Sequence, residues 1–130
     1  MVIAIDYDGT IINNDAYPNK GVIRPDAAKV IKWLKSKGAT LILWTCREDQ
    51  ALDNAKELLE ENGLEFDAFN ENADNYYKSR KIVADIYIDD MAWPRIPISP
   101  TEPESSSFLC TTSCGIFTVA EVCLLKPALG

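Results

Sequence analysis

Three short apolar runs, each ending in polar residues, set the rhythm of this chain. Val2 to Ile5 is fully apolar and meets Asp6; Thr40 to Trp44 ends at Thr45; Ile86 to Ile88 ends at Asp89 and Asp90. Short runs of this kind predict buried strands of a parallel sheet. Between the first two, Ala27, Val30, Ile31 and Leu34 form one apolar stripe at helical spacing. Pro25 opens that helix where its missing N–H costs nothing, Lys35 and Lys37 suit its negative end, and Gly38 can stop it. A second helix is expected over residues 50–61, with Ala51, Ala55, Leu58 and Leu59 on one side and Gly63 as its stop. A short strand over 64–69, a polar loop over 70–77 and one or two helical turns over 78–84 complete the pattern. Strand alternating with helix predicts an α/β, Rossmann-like three-layer fold, with a parallel central sheet, right-handed crossovers and helices on both faces.

After Met91 the character changes. Pro94, Pro97, Pro100 and Pro103 fall within ten residues, and Ser105, Ser106 and Ser107 follow. This reads as linker or extended chain. Residues 108–125 are apolar enough for one or two strands added to the sheet edge. The expected division is a core over 1–92 and a Pro/Ser/Cys-rich tail over 93–130, and no internal repeat is visible.

Composition narrows the chemistry. The chain has 130 residues, one domain's worth, and a net charge of -7. An acidic surface argues against duplex nucleic acid as a tightly held partner. No stretch has the apolar density of a membrane span, and the N-terminus lacks a basic segment of the kind that opens a signal peptide. The expected location is cytoplasmic, with reduced thiols at Cys46, Cys110, Cys114 and Cys123. Histidine is absent, so no His-based triad, Cys-His dyad or His-ligated metal is available, and acid-base work falls to other side chains.

Carboxylates gather where the strands end. In Asp6-Tyr7-Asp8-Gly9-Thr10 two acids stand two residues apart straight after a buried strand, and Gly9 permits a close turn. An ordinary acidic strand end with an Asp-Gly turn is the bland alternative; the five-residue string favours function. Asp89 and Asp90 repel each other unless a cation lies between them, and beside Asp6 they make a hard oxygen site suited to Mg²⁺. By themselves they read rather as a solvated acidic loop, and only their placement beside Asp6 favours the metal. Thr45 is a weak signal, since a hydroxyl there often caps the next helix. Lys78, Arg80 and Lys81 precede the third run and read singly as surface charge, though a site of carboxylates and phosphate needs a fixed cation. Arg47 is placed to meet substrate. Cys46 lies between site candidates but reads as packing; Trp33 and Trp44 read as core, and Tyr7 and Trp93 as lining the mouth of a site.

Taken in order, Asp6-Tyr7-Asp8-Gly9-Thr10, Thr45, a basic residue within 78–81 and Asp89-Asp90 resemble the four motifs of the haloacid dehalogenase-like (HAD) superfamily. The resemblance covers residues 1–92, and residues 81–90 look like the compact third-plus-fourth motif region of small nucleotidase-type members. It implies a Mg²⁺-dependent phosphate monoester hydrolase working through an aspartyl-phosphate. Asp6 would be the nucleophile, and Asp8 would protonate the leaving oxygen and then activate water. Thr45 would bind the phosphoryl oxygens, and Lys81, or failing it Lys78, would neutralise charge. Metal ligands would be Asp6, the Asp8 backbone carbonyl, Asp89 and Asp90, the last through water or as a neighbour; Gly9, Thr10, Cys46 and Arg47 would meet substrate. An acid at the position of Asp8 favours phosphate esters over halide displacement. The departures are Met91, where a basic residue often follows the paired acids, and the tail, where related folds usually continue with further strand and helix.

About fifteen residues separate Thr10 from Pro25, room for a flap and not for a cap domain. The expectation is a capless phosphatase whose open site is covered by its substrate, by the tail or by a second copy in a homo-oligomer. Its partner would be a phosphorylated small molecule or a phosphorylated macromolecule end, with no duplex nucleic acid and no membrane. A non-turnover phospho-acceptor, or a regulatory domain that binds metal or phosphate, is the alternative.

Overall fold

The computed structural model describes residues 1–14, 16–74, 76–92, 110–112 and 115–117. The first strand, β1, is Val2–Ile5; α1 is Pro25–Ser36; β2 is Thr40–Leu43; α2 is Asp49–Glu61. Two further strands, β3 (Ala68–Phe69) and β4 (Ile86–Ile88), follow, then β5 (Cys110–Thr112) and β6 (Gly115–Phe117). The first four strands form one parallel sheet in the order β3-β2-β1-β4. This is the α/β Rossmann-like arrangement that the alternation of elements predicts.

Both helices bury the stripes read from the sequence. Ala27, Val30, Ile31 and Leu34 are buried on α1, and Ala51, Ala55, Leu58 and Leu59 on α2. Burial of each large aliphatic side chain of this kind is worth roughly 1.5–3 kcal/mol. The expected strand over 64–69 shortens to its last two residues.

Strand register divides the apolar residues into two faces. Ile3, Ile5, Leu41, Leu43 and Ile88 join Ala27, Val30, Ile31 and Leu34 of α1 and Ala55, Leu58 and Leu59 of α2 in one cluster. Ala4 and Ile42 face the other way and meet Ala68, Ile82 and Ala84. The expectation of helices on both faces is therefore corrected for the described residues. The chain steps from β1 to β2 to β3 in one direction, so right-handed crossovers lay α1 and α2 on the same face. The return from β3 to β4 runs the opposite way and brings Ile82 and Ala84 onto the second face, where no helix lies among the described residues.

The helical turns expected over 78–84 do not form. The Asn72 side chain donates to the Lys81 carbonyl at 3.0 Å and accepts from the Val83 N–H at 2.8 Å. The Tyr87 hydroxyl donates to the Ile82 carbonyl at 2.5 Å and accepts from the Ala84 N–H. These side chains satisfy backbone groups that a helix would otherwise pair, and they hold the segment in an irregular, non-helical path.

The strands expected within 108–125 appear as β5 and β6, an antiparallel pair forming its own two-stranded sheet and not an added edge of the main one. The remainder of that tail, with Trp93, lies outside the described residues.

Candidate metal centre

The site grows from the reversal of strand order at β1. One crossover leaves β1 toward β2, while β4 pairs on the other side, and ligands of open parallel sheets bind at the carboxyl ends beside such a switch. The Asp6 N–H donates to the Ile88 carbonyl at 2.9 Å, extending the β1–β4 ladder one step past the strands. Asp6 thus stands beside Asp89 and Asp90, and one carboxylate oxygen from each of the three lies within 4.8 Å of the others.

Asp90 is built into place. Its exposure is 2%. Its N–H donates to the Thr10 hydroxyl at 3.1 Å, and its Oδ2 accepts from Asn14 Nδ2 at 3.3 Å. Gly9 makes room: with φ +77° it adopts a conformation that side chains disfavour, and a Cβ there would overlap Asp90 Oδ2. The remaining oxygen, Asp90 Oδ1, is buried and has no hydrogen-bond partner. A buried carboxylate oxygen without a donor is costly, and a cation removes that cost.

The titration of Asp6 points the same way. Its pKa is pushed up from 3.8 to about 8, chiefly by burial; the Tyr7 backbone N–H opposes the shift, and the Asp89 and Asp90 charges add to it. Three crowded carboxylates, all oxygen donors, fit a hard divalent cation.

The second acid of the first motif goes elsewhere. Arg47 Nε donates to Asp8 Oδ2 at 2.8 Å and Nη2 to Oδ1 at 2.7 Å, a bidentate pair. Arg47 has no exposed surface. Its Nη1 donates to the carbonyls of Pro18, Asn19 and Ala51, and its guanidinium lies 4.6 Å from the Tyr7 ring centroid. Hydrogen bonds to Asp8 hold the Arg47 pKa above its already high ordinary value. Tyr7, fully buried, donates its hydroxyl to the Lys20 carbonyl, and burial pushes its pKa up to about 12.

Beside the carboxylates opens a cleft of about 580 Å³ lined by Asp6, Asp89, Thr45, Trp44, Cys46, Glu48, Asn70 and Arg80. Asn70, at the end of β3 with φ 55°, accepts from the Thr45 N–H at 2.8 Å and donates to the Arg47 carbonyl at 3.0 Å. It fixes the Thr45 loop. A second hollow, of about 330 Å³, involves Val2 and Thr40 at the amino ends of β1 and β2, away from the carboxylates.

No protein-family model matches the chain, and no curated protein does. A solved structure matches: a conserved protein from Bacteroides thetaiotaomicron, 41% identical, with a TM-score of 0.68, over 75% of this chain and 81% of that one. The chain belongs to that protein's family. Across so much of both chains, this degree of identity makes the two close relatives and not merely holders of a common fold.

Within this family member, the structure sorts the residues singled out by sequence. Asp6, Asp89 and Asp90 come together; the Asp8 side chain does not join them. Thr45 and Cys46 reach the cleft, and Cys46 is exposed rather than packed. Arg47, expected to meet substrate, is instead buried and clamps Asp8. Gly9 and Thr10, also expected at the substrate, seat Asp90. Tyr7 is core and not mouth, whereas Trp44 is 39% exposed at the mouth and not core. Among 78–81 the cation lining the cleft is Arg80; Lys78 and Lys81 do not line it. Sequence reasoning passed over Asn14, Glu48 and Asn70. Asn70 had a signal, the polar end of another short strand; Asn14 had none, since its partner lies 76 positions away.

No helix among the described residues is long and apolar enough to cross a membrane.

Proposed function

We propose that the protein is a metal-dependent phosphate monoester hydrolase of the HAD type. The observation that carries this reading is the Asp6, Asp89 and Asp90 triad at the switch point, with its buried, unpartnered Asp90 oxygen. Asp6, Asp89 and Asp90 would hold the cation, Mg²⁺ in this reading, together with the Asp8 carbonyl that the resemblance implies. When bound, that cation supplies positive charge to carboxylate and phosphate alike, so that two anions can approach.

An Asp6 oxygen attacks phosphorus, and the ester P–O bond breaks to give an aspartyl-phosphate and an alcohol. Water then attacks the phosphorus, and the Asp6–phosphorus linkage breaks to release inorganic phosphate. The Thr45 hydroxyl and Arg80 face the phosphoryl oxygens across the cleft and stabilise their charge. Asp8 gives a proton to the leaving oxygen and takes one from water. Both of its oxygens accept from Arg47 in the structure, so that role requires the pair to open.

The test is turnover of an aryl phosphate with and without Mg²⁺. Asp6→Asn is expected to remove turnover while far-UV circular dichroism stays unchanged; undiminished turnover refutes the assignment.

The Asp8–Arg47 clamp also favours a second reading, a phospho-acceptor without turnover. A clamped Asp8 would leave the phosphorylated Asp6 without a base to activate water. Sustained multiple turnover means an enzyme, and one persistent phosphoryl group per chain means an acceptor.

A further inference from the structure

The cleft beyond the carboxylates carries three features that metal and phosphate do not require. The first is Trp44. It follows β2, still donates its backbone N–H to the Ile5 carbonyl at 2.9 Å, and yet leaves 39% of its surface exposed. An indole at the mouth of a cleft offers a flat apolar face to a ring. The second is Glu48. It occupies the N-cap of α2, a position that favours Ser, Thr, Asp or Asn, and its side chain caps nothing. The next residue, Asp49, takes φ 45°, a conformation uncommon for a residue with a side chain. The chain thus forgoes a helix cap, and a carboxylate lines the cleft. The third is the charge balance. Among the described residues Arg80 is the sole basic one lining the cleft, against Asp6, Asp89 and Glu48. One divalent cation and one arginine can serve a single phosphate, and no further basic residue of that lining remains for a second anionic group.

Resting on the hydrolase reading for where the phosphate sits, we propose that this cleft takes the monophosphate ester of an uncharged, hydroxyl-rich ring, a sugar phosphate in chemical class, with the ring against Trp44 and its hydroxyls donating to Glu48. The volume of about 580 Å³ lies in the usual range for a small-molecule site. A carboxylate is an acceptor only, so it selects hydroxyl donors and repels a carboxylate or a second phosphate. A sugar ring presents its C–H face to an indole and its hydroxyls around the rim, which matches a wall carrying one tryptophan and one acceptor.

The test compares kcat/KM for a hexose 6-phosphate, the corresponding hexose 1,6-bisphosphate, a nucleoside 5′-monophosphate and ethyl phosphate, in the full chain with Mg²⁺. The hexose monophosphate is expected to exceed ethyl phosphate by at least about tenfold. Glu48→Gln should lower that ratio by about tenfold, mainly through KM, and Trp44→Ala should lower it as well. Binding provides a readout independent of turnover. In Asp6→Asn protein the hexose 6-phosphate should change tryptophan fluorescence saturably, and the change should vanish when Trp44→Phe is added. A bisphosphate or nucleotide preferred over the hexose monophosphate overturns the proposal. So does a ratio unmoved by Glu48→Gln, or inorganic phosphate binding as tightly as the ester. Turnover of an aryl phosphate with an unmoved ratio sinks the sugar and spares the hydrolase. Saturable, Glu48-dependent binding with no turnover of any ester does the reverse.

Discussion

Asp90→Asn should stabilise the metal-free protein while weakening its hold on a divalent cation. The expectation follows from the crowding of Asp6, Asp89 and Asp90. Asp6 has a pKa near 8 against 3.8 as its ordinary value. Below about pH 4 it is protonated in folded and unfolded chains alike. Between those two values only the unfolded chain gives up the proton, so stability falls as pH rises, by at most about 1.4 kcal/mol per unit. Burial is the largest cause of the shift and survives the substitution. What disappears is the Asp90 charge, together with the hydrogen bond that protonated Asp6 makes to it, and the amide can replace that bond as acceptor or, to the ionised Asp6 carboxylate, as donor. A gain of about 1–2 kcal/mol at pH 8 is expected, the scale of one hydrogen bond to a charged group. For a chain of 130 residues that is roughly 4–8 °C in Tm. The assay is thermal unfolding at pH 8 in chelator, then with Mg²⁺. A hundredfold excess of Mg²⁺ over its Kd adds ~2.7 kcal/mol to the native protein, and the same concentration should add much less to the variant. A variant less stable than the native chain in chelator would mean that Asp90 does not strain Asp6, and one stabilised equally by Mg²⁺ would mean that Asp90 does not hold the cation.

Other expectations follow from the same geometry. Native protein in chelator should lose stability from pH 5 to pH 8 in urea titrations, and Mg²⁺ should flatten the slope, because cation binding expels the proton that Asp6 otherwise keeps. Arg47→Met leaves Asp8 without its partner in a largely buried setting; a loss of about 3–5 kcal/mol is expected in chemical denaturation, and a loss under 1 kcal/mol would mean the clamp is not structural. Gly9→Ala combines a disfavoured φ with overlap on Asp90 Oδ2, so it should cost about 1–3 kcal/mol of stability and lower Mg²⁺ affinity by calorimetry. Tyr7→Phe removes one buried hydrogen bond to the Lys20 carbonyl and should cost about 1 kcal/mol, with no change in Mg²⁺ affinity.

The alternation of elements was legible because burial imposes a period on the chain. The stripes on α1 and α2 and the apolar runs of β1, β2 and β4 coincide with the elements observed. The segment over 78–84 was not legible, because the Asn72 and Tyr87 side chains that keep it from forming a helix are identified only by their contacts. Arg47 misled for a related reason: an arginine after a strand end reads as solvent-facing, and nothing local announces that Asp8, Pro18 and Ala51 surround it.

The pattern along the chain was enough to place the buried stripes of the helices, the points where the apolar runs stop, and the carboxylates at the first and third of those stops. Strand order was left to the tertiary structure, since side-chain period sets the faces of a strand and not its neighbours. Placing β4 against β1 brought Asp89 and Asp90 to Asp6, and stepping twice in one direction put both helices on one face. Only the folded chain could also separate the acids of the first motif, Asp6 and Asp8. The β1–β4 ladder carries Asp6 into the carboxylate cluster, while the turn at Gly9 gives Asp8 to a buried arginine.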